Sequence, residues 1–368
     1  MKNLRNHMHR LSRQLRGSKE LFYVSDRENW VLRWVGHYIT HEVQAQFGLK
    51  AHLDKDLKWA MPGDVLHFGS LWNTVAAFKA SASRQMLDGK HNVATLFHGE
   101  RGELHSLFNE AFDIALANID SIARIVTANR IMQARLAEWG VPLEKIACIP
   151  LGVDLTRFQP ASNEARRNQR SILGVPENAF CIGSFQKDGE GWDEGFKPKL
   201  IKGPDIFLEV VERLARHYPV FVLLTGPARG YVKVGLEKMR VPYHHTLLED
   251  FLEIPHYYQC LDLYLITARE EGGPQAILEA PACGVPVIST RVGLAPDILT
   301  NGVSGILVGV DDVEQITASA ARLIEDAVLR TSLIEQGLKM IQDYDWANIA
   351  SRYYYEVYAP LMGTEIYD

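Results

Sequence analysis

The chain has 368 residues, of which 47% are hydrophobic and 23% are charged, and its formal net charge at pH 7 is -6. This length favours two domains, and the composition is typical of a soluble globular protein. The negative charge argues against a nucleic-acid-binding protein, because such proteins usually carry a basic excess. No apolar run approaches the ~20 residues that cross a bilayer, and no secretory signal is recognisable, so we expect a cytoplasmic protein.

The four cysteines lie in apolar stretches and do not form a CxxC pair; they are Cys148, Cys181, Cys260 and Cys283. Buried, reduced thiols are therefore expected. A zinc site is not expected, because no Cys or His pair with ligand spacing lies near a second pair.

The first twenty residues contain six Lys or Arg residues and one Glu, and Leu4, Met8, Leu11 and Leu15 recur at helical spacing. This pattern predicts a basic amphipathic helix. One interpretation is peripheral contact with the inner face of a membrane. The favoured interpretation is a terminal helix docked on its own domain, because four apolar residues are few for an anchor.

Short apolar runs then alternate with amphipathic stretches up to about residue 158. The predicted strands are 21–24, 64–68, 93–97, 123–126 and 146–149. The predicted helices are 29–47, 72–80 and 130–139. Strands that alternate with helices predict a parallel sheet covered on both faces.

Residues 159–171 are polar and contain Pro160, which predicts part of a linker between domains. The alternation then restarts. The predicted strands are 180–185, 220–224, 261–266, 285–289 and 306–308, and the predicted helices are 204–217, 313–326, 328–342 and 346–361. We therefore predict an α/β protein with domains at 1–158 and 159–342, followed by a closing helix within 343–368 that crosses back to the first domain.

The most informative segment is TAREEGGPQAILEAPACGVPVIST at residues 267–290. A buried strand ends just before it, and Gly272 and Gly273 allow the backbone to approach a ligand closely. Pro274 suits the first position of the following helix. The free N–H groups of such a loop, at the carboxyl end of a strand, predict a site for an anion such as a diphosphate.

Two carboxylates flank this loop, because Glu271 precedes the glycines and Glu279 follows after seven intervening residues. The spacing predicts that Glu279 lies in the second turn of the helix, roughly 8 Å from Pro274. That separation suits one carboxylate near the sugar and one near the ribose of a single nucleotide sugar.

The Glu-x7-Glu spacing followed by EAPACGVPVIST closely resembles the signature of the retaining family 4 glycosyltransferases, which have the GT-B fold. Other segments resemble the same family: VATLFHG at 93–99, IACIPLGVDLTRF at 146–158, KGPDIFLEV at 202–210 and DWANIASRYYYEVY at 345–358. The resemblance implies two Rossmann-like domains that face each other across a cleft.

The resemblance further implies transfer of a sugar from a nucleotide sugar, with a UDP-sugar as the first choice of donor and no metal or other cofactor. The acceptor would be a saccharide, a lipid-linked compound or a small molecule, as in polysaccharide biosynthesis. His98 and Glu271 are assigned as catalytic residues at the donor sugar. The residues assigned to substrate binding are Lys187, Lys202, Gly226, Gly272, Gly273, Gln275 and Glu279. Among them, Lys202 would neutralise the diphosphate and Glu279 would bind the ribose.

The sequence departs from this family in two places. The family usually has an arginine after the glycine at the position of Gly183, but here Ser184 follows, and an insert at 186–201 (QKDGEGWDEGFKPKLI) precedes Lys202. Lys187, Lys197 and Lys199 are candidates for the second positive charge, and Lys187 is preferred because it leaves the strand end. The glycine-rich loop after the first strand is replaced by SDREN at 25–29.

Other motifs have less specific interpretations. Asp54-Lys55-Asp56 matches a metal-binding pattern, but a polar loop is favoured because no apolar strand precedes it. The pair His244-His245 is interpreted as a loop lining the base pocket. Two alternative functions remain: a non-catalytic nucleotide-binding subunit of a synthase, and a sugar-nucleotide epimerase on the same fold. A phosphorylase would need a lysine-bound pyridoxal phosphate, for which no segment is evident.

Overall fold

A computed structural model describes residues 19–25, 31–53, 57, 60–80, 87, 91–102 and 105–363. The chain divides into two compact units. Unit 1 comprises the residues up to Gly152 and those from Trp346 onward, and unit 2 comprises Val153–Asp345. Residues 1–18 of the predicted N-terminal basic helix and the Asp54–Asp56 motif lie outside the described residues. Within the described ranges, no helix combines the length and apolar character that a membrane span requires.

The strands of the two sheets are β1 Leu21–Val24, β2 Ala51–Leu53, β3 Val65–Phe68, β4 Asn92–Thr95, β5 Ile122–Thr127, β6 Ile146–Cys148, β7 Phe180–Ser184, β8 Val220–Thr225, β9 Tyr243–Thr246, β10 Leu263–Ile266, β11 Val287–Thr290 and β12 Ile306–Val308. The α-helices are α1 Val31–Phe47, α2 Leu71–Lys79, α3 Ser106–Ala117, α4 Arg130–Glu138, α5 Asn163–Ile172, α6 Pro204–Ala215, α7 Gly230–Met239, α8 Ile254–Tyr258, α9 Ala276–Ala282, α10 Ala295–Ile298, α11 Val313–Glu325, α12 Ala327–Met340, α13 Trp346–Tyr353 and α14 Ala359–Met362.

The sheet of unit 1 is parallel, with strand order β2-β1-β3-β4-β5-β6. Strands β1 and β3 are buried along their full length, as expected for a sheet with both faces covered. The C-terminal segment is fixed to this sheet, because buried His67 on β3 bridges the hydroxyls of Tyr358 at 2.6 Å and Thr95 at 2.8 Å. The predicted single helix at 346–361 is wrong in one respect: a π-helical segment, Tyr354–Tyr358, separates α13 from α14.

The sheet of unit 2 is also parallel, with strand order β12-β11-β10-β7-β8-β9. Strands β8 and β9 follow in order on one side of β7, and strands β10, β11 and β12 follow in order on its other side. Strands β7 and β10 are direct neighbours, with Ile182 opposite Leu263 and Gly183 opposite Tyr264. Because the direction of building reverses between β7 and β10, ligands are expected beyond their carboxyl ends. The α/β fold class with two doubly wound sheets is confirmed.

The linker predicted at 159–171 is wrong, because most of it forms helix α5. Ser162 caps the helix by accepting a hydrogen bond from the Ala165 N–H at 3.2 Å. The helix is held through charge, since Arg166 and Arg170 pair with Asp262 at 2.7 and 3.0 Å. Hydrophobic periodicity does not detect a helix that packs through arginines.

Elements β2, α3 and β9 were also missed. The interpretation of His244-His245 as a loop is wrong, because both residues lie on the edge strand β9. Four-residue strands at a sheet edge bury only part of each side chain, so their sequence lacks a continuous apolar run.

The four cysteines are free. Cys181, Cys260 and Cys283 are buried, as expected, whereas Cys148 is partly exposed.

Candidate functional site

The candidate site lies in unit 2, where the segments that leave β7 and β10 meet. The segment after β7 includes the insert at 186–201 and ends at Gly203, which immediately precedes α6. The segment after β10 runs from Thr267 to Gly273. Since both leave the carboxyl ends of neighbouring strands at the reversal point, their side chains are brought to one edge of the sheet.

Hydrogen bonds hold the two segments together. The N–H of Arg269 donates to the carbonyl of Ile201 at 2.8 Å, and the Thr267 hydroxyl donates to the carbonyl of Gly203 at 2.8 Å. The Arg269 guanidinium also forms a bidentate ion pair with Asp205, with distances of 2.9 and 2.8 Å. Bidentate pairs of this kind fix orientation as well as distance.

This arrangement places Lys202 beside Glu271, with Nζ 2.5 Å from Oε1. The two side chains are 22% and 14% exposed, so the pair is accessible from solvent. Gly203 is required for this approach, because its φ is +65° and a Cβ there would lie 1.9 Å from the Thr267 carbonyl oxygen. The structure therefore brings together Lys202 and Glu271, which were predicted from separate motifs.

The tight backbone approach at the glycine loop involves a residue further along the chain. Gly272 and Gly273 do not have positive φ values; the left-handed residue is Gly293, whose Cβ would lie 2.4 Å from the Glu271 carbonyl oxygen. The prediction that Pro274 opens the helix is wrong, because α9 begins at Ala276. Gln275 occupies the position just before the helix.

Glu279 consequently lies in the first turn of α9 and not in the second. It is 3% exposed, and its Oε2 accepts a hydrogen bond of 2.8 Å from the hydroxyl of Tyr258. Burial raises the pKa of Glu279 from 4.5 to about 7, against the opposing effect of the Tyr258 hydrogen bond. The Tyr258 ring packs against Phe185 and Tyr264, with centroid distances of 4.8 and 5.4 Å.

The insert is anchored by a buried ion pair. Nε of Arg229 lies 3.0 Å from Oδ1 of Asp188, and both side chains are almost fully buried. Burial raises the pKa of Asp188, and Arg229 opposes this effect. Arg229 also donates to the carbonyl oxygens of Ser184 and Thr225 at 2.6 and 2.7 Å, so it joins the insert to the ends of β7 and β8.

Two other predicted residues of unit 2, Gly226 and Lys187, follow the carboxyl ends of β8 and β7 at the same edge of the sheet. Gly226 follows β8 with a φ of +90°, and its carbonyl accepts a hydrogen bond of 2.8 Å from Nε2 of His245. Lys187 leaves β7, and its Nζ lies 3.6 Å from the centroid of the Trp192 ring, a cation–π contact.

His98 is the one predicted site residue in unit 1. It is exposed and lies three residues beyond the end of β4. Gly99 is needed for packing at this point, because a Cβ there would lie 2.1 Å from the Phe108 ring.

Sequence reasoning assigned no role to Tyr258 or Arg229. Each acts on a residue far away in the chain, Glu279 and Asp188 respectively, so no local spacing signalled the contact. Over the part of the chain that the structure describes, no group of three or more His, Cys, Asp or Glu residues is arranged to hold a metal ion.

Comparisons with known proteins identify one family model and a set of relatives. The family model "Glycosyl transferases group 1" matches residues 197–340. The D-inositol 3-phosphate glycosyltransferase of Corynebacterium urealyticum is 28% identical over 227 residues, 56% of this chain and 50% of that protein. The UDP-Gal:alpha-D-GlcNAc-diphosphoundecaprenol alpha-1,3-galactosyltransferase of Escherichia coli is 28% identical over 191 residues, 50% of this chain and 46% of that protein. The chain spans about half the length of these curated relatives.

Solved structures show the same architecture over most of the chain. Anabaena Alr3699/HepE, in complex with UDP-glucose, has a TM-score of 0.71 at 18% identity, covering 91% of this chain and 97% of that one. Sucrose-phosphate synthase from Thermosynechococcus elongatus has a TM-score of 0.68 at 16% identity, covering 93% and 81%. The chain therefore has the GT-B fold of two Rossmann-like domains, and residues 197–340 of unit 2 carry the sequence pattern of the group 1 glycosyl transferases.

Proposed function

We propose that the protein is a retaining, family 4-like glycosyltransferase that transfers a sugar from a nucleotide sugar, with a UDP-sugar as the first choice, to a hydroxyl of a saccharide, lipid-linked or small-molecule acceptor. One observation carries the proposal. The accessible Lys202–Glu271 pair lies at the reversal point of the unit 2 sheet, and Glu271 belongs to the same loop-and-helix segment as the buried carboxylate of Glu279. The names of the relatives and neighbours, which include UDP-Gal and UDP-glucose, support this donor class.

The electrostatics of the site suit the departure of a diphosphate. When the bond between the sugar and the diphosphate breaks, negative charge grows on the leaving oxygen, and a positioned cation stabilises that charge. Lys202 is held at this edge by the Gly203 turn, so its position does not have to be organised during the reaction. In the unliganded protein Glu271 balances the charge of Lys202; a bound donor would share Lys202 and leave Glu271 to bind sugar hydroxyls.

Glu279 suits the ribose, because an ionised carboxylate accepts hydrogen bonds from two vicinal hydroxyls. Tyr258 occupies one lone pair of Oε2 and thereby sets the orientation of the carboxylate. The prediction is that Glu279→Gln weakens binding of the nucleotide sugar and of the bare nucleotide alike. Calorimetry with UDP, GDP and ADP tests this role, and an unchanged affinity in the variant would exclude it.

Retention of the anomeric configuration is supported mainly by the resemblance to the retaining family 4 glycosyltransferases and also by the roles assigned to the available groups. Inversion needs a base on the face of the sugar opposite the diphosphate. Glu271 is paired with the proposed diphosphate ligand Lys202 and is therefore expected on the donor side. In the retaining route, the acceptor oxygen forms its bond to the anomeric carbon on the face that the diphosphate leaves, and the acceptor proton passes to a phosphate oxygen.

The stereochemistry is tested by proton NMR of fresh product made from an α-linked donor. The proposal predicts an α-linked initial product. A β-linked initial product would reject retention and, with it, the roles given to Glu271 and His98.

A further inference from the structure

The insert at 186–201, which precedes Lys202, carries three lysines, and two of them already have partners. Lys197 pairs with Glu190 at 2.6 Å, and Lys187 stacks on Trp192. For the Nζ of Lys199, the described part of the chain provides no hydrogen bond or ion pair. Lys199 is thus the cation of the insert whose charge is not already engaged.

The backbone fixes where Lys199 lies. Its N–H donates to the carbonyl of Asp188 at 2.7 Å, and Asp188 is anchored in turn by the buried Arg229. Its carbonyl accepts from the N–H of Lys202 at 2.8 Å, across the 3-10 turn Leu200–Lys202. Lys199 and Lys202 therefore stand at the two ends of one turn, about 6 Å apart along its axis at ~2 Å per residue.

Burial and neighbouring charges both act on the ammonium group of Lys199. Desolvation is the largest cause that lowers the pKa of Lys199. The charge of Lys202 lowers this pKa further, whereas the charge of Glu271 raises it. Lys187 adds further repulsion, and the remaining attractive charge, Glu190, is already paired with Lys197. Glu271 already pairs with Lys202 at 2.5 Å, so a bound anion would offset the repulsion between the two ammonium groups.

The end of β7 itself does not supply the cation for that anion. Ser184 stands there, and its carbonyl and hydroxyl are both bound by the guanidinium of Arg229. Arg229 itself is 1% exposed and is committed to Asp188, so it is not available to a ligand.

We infer that Lys199, delivered by the insert, is the second cation that binds the diphosphate together with Lys202. The inference rests on the proposed function and names a residue of its donor site; it takes Lys199 in place of Lys187, the choice made from sequence. Buried Asp188 and Arg229 are then positioning residues, because they hold the backbone of the insert to which Lys199 belongs.

The test measures what the second phosphate contributes to binding. Calorimetry of the wild type first gives the dissociation constants for UDP, GDP and ADP and for the matching monophosphates UMP, GMP and AMP. The nucleotide pair whose base binds is then used for the variants. The ratio of monophosphate to diphosphate dissociation constants is then compared in Lys199→Gln, Lys199→Arg and Lys197→Gln. Lys199→Gln keeps the backbone N–H that holds the insert, and Lys197→Gln is a matched neutralisation two residues away.

Lys199→Gln is expected to lower this ratio roughly tenfold, or about 1.4 kcal/mol, while the monophosphate affinity is retained. Lys199→Arg should restore most of the ratio, and Lys197→Gln should leave it at the wild-type value. A wild-type ratio in Lys199→Gln, or an equal loss in Lys197→Gln, would overturn the assignment of Lys199. Failure of the wild type to bind any of the three diphosphates would instead remove the proposed function itself.

Discussion

Replacing Glu279 by glutamine is expected to stabilise the unliganded protein at pH 8 although it weakens nucleotide binding. Glu279 is almost fully buried, and its pKa is raised to about 7 in the folded protein, whereas its ordinary value is 4.5. Between these pH values the folded protein retains a proton that the unfolded chain releases. The contribution of this group to stability is therefore full below pH 4.5 and is lost as the pH rises to 7.

The size of the effect follows from the two pKa values. The difference between 4.5 and about 7 corresponds to about 3 kcal/mol of unfolding free energy. The glutamine side chain introduced by Glu279→Gln carries no charge at any pH, and its oxygen can still accept the hydrogen bond from Tyr258. The stability of this variant relative to the wild type should thus rise by up to about 3 kcal/mol between about pH 4.5 and pH 8.

The assay is hydrogen exchange, followed by mass spectrometry, of peptides from β10 at increasing urea, because it reports on unit 2 separately from unit 1. Glu325→Gln is the control. Glu325 accepts a hydrogen bond from the Tyr218 hydroxyl at the protein surface, the same chemical pairing without the burial. The stability of Glu325→Gln should equal that of the wild type both at pH 4.5 and at pH 8. If Glu279→Gln gained no more stability at pH 8 than at pH 4.5, the account of a buried, destabilising carboxylate would be refuted.

Three further predictions concern the two units and the chemistry. Asp188→Ala leaves the buried guanidinium of Arg229 without its carboxylate and should lower the unfolding free energy of unit 2 by about 3–5 kcal/mol in the same exchange assay. A decrease below about 1 kcal/mol would show that the ion pair does not anchor the insert. Tyr358→Phe removes a hydrogen-bond partner of buried His67 and should lower the unfolding free energy of unit 1 by about 1–3 kcal/mol, measured by hydrogen exchange of peptides from β3. An unchanged exchange rate in these peptides would contradict this role. Sugar transfer should survive EDTA, because Lys202 supplies the positive charge at the diphosphate; complete loss that is restored by manganese or magnesium would refute metal independence.

The fold was predictable because its signals are local. Buried parallel strands read as continuous apolar runs, and the two alternating series of strands and helices matched the two sheets. At the site, the motifs around Lys202 and Glu271 were each visible in the sequence, whereas their meeting at one edge depends on the pairing of β7 with β10, which no local pattern specifies.

What the sequence did not reveal depends on contacts between distant residues. Tyr258 and Glu279 belong to different helices, and Asp188 meets Arg229 across the insert. Helix α5 was mistaken for a linker because its packing relies on Arg–Asp pairs. Neither hydrophobic periodicity nor turn signals describe such pairs, because both report only on residues a few positions apart.

The most direct test of the central claim is turnover of a nucleotide sugar. Purified protein is incubated with a panel of UDP-, GDP- and ADP-sugars, without acceptor and with a mixture of simple saccharides, and the released nucleoside diphosphate is measured. The account predicts slow release from one donor by the wild type, faster release with a suitable acceptor, and at least a roughly tenfold lower rate in Lys202→Gln, about 1.4 kcal/mol in the barrier. Equal release by the wild type and Lys202→Gln, or interconversion of the sugars without release of the diphosphate, would contradict it.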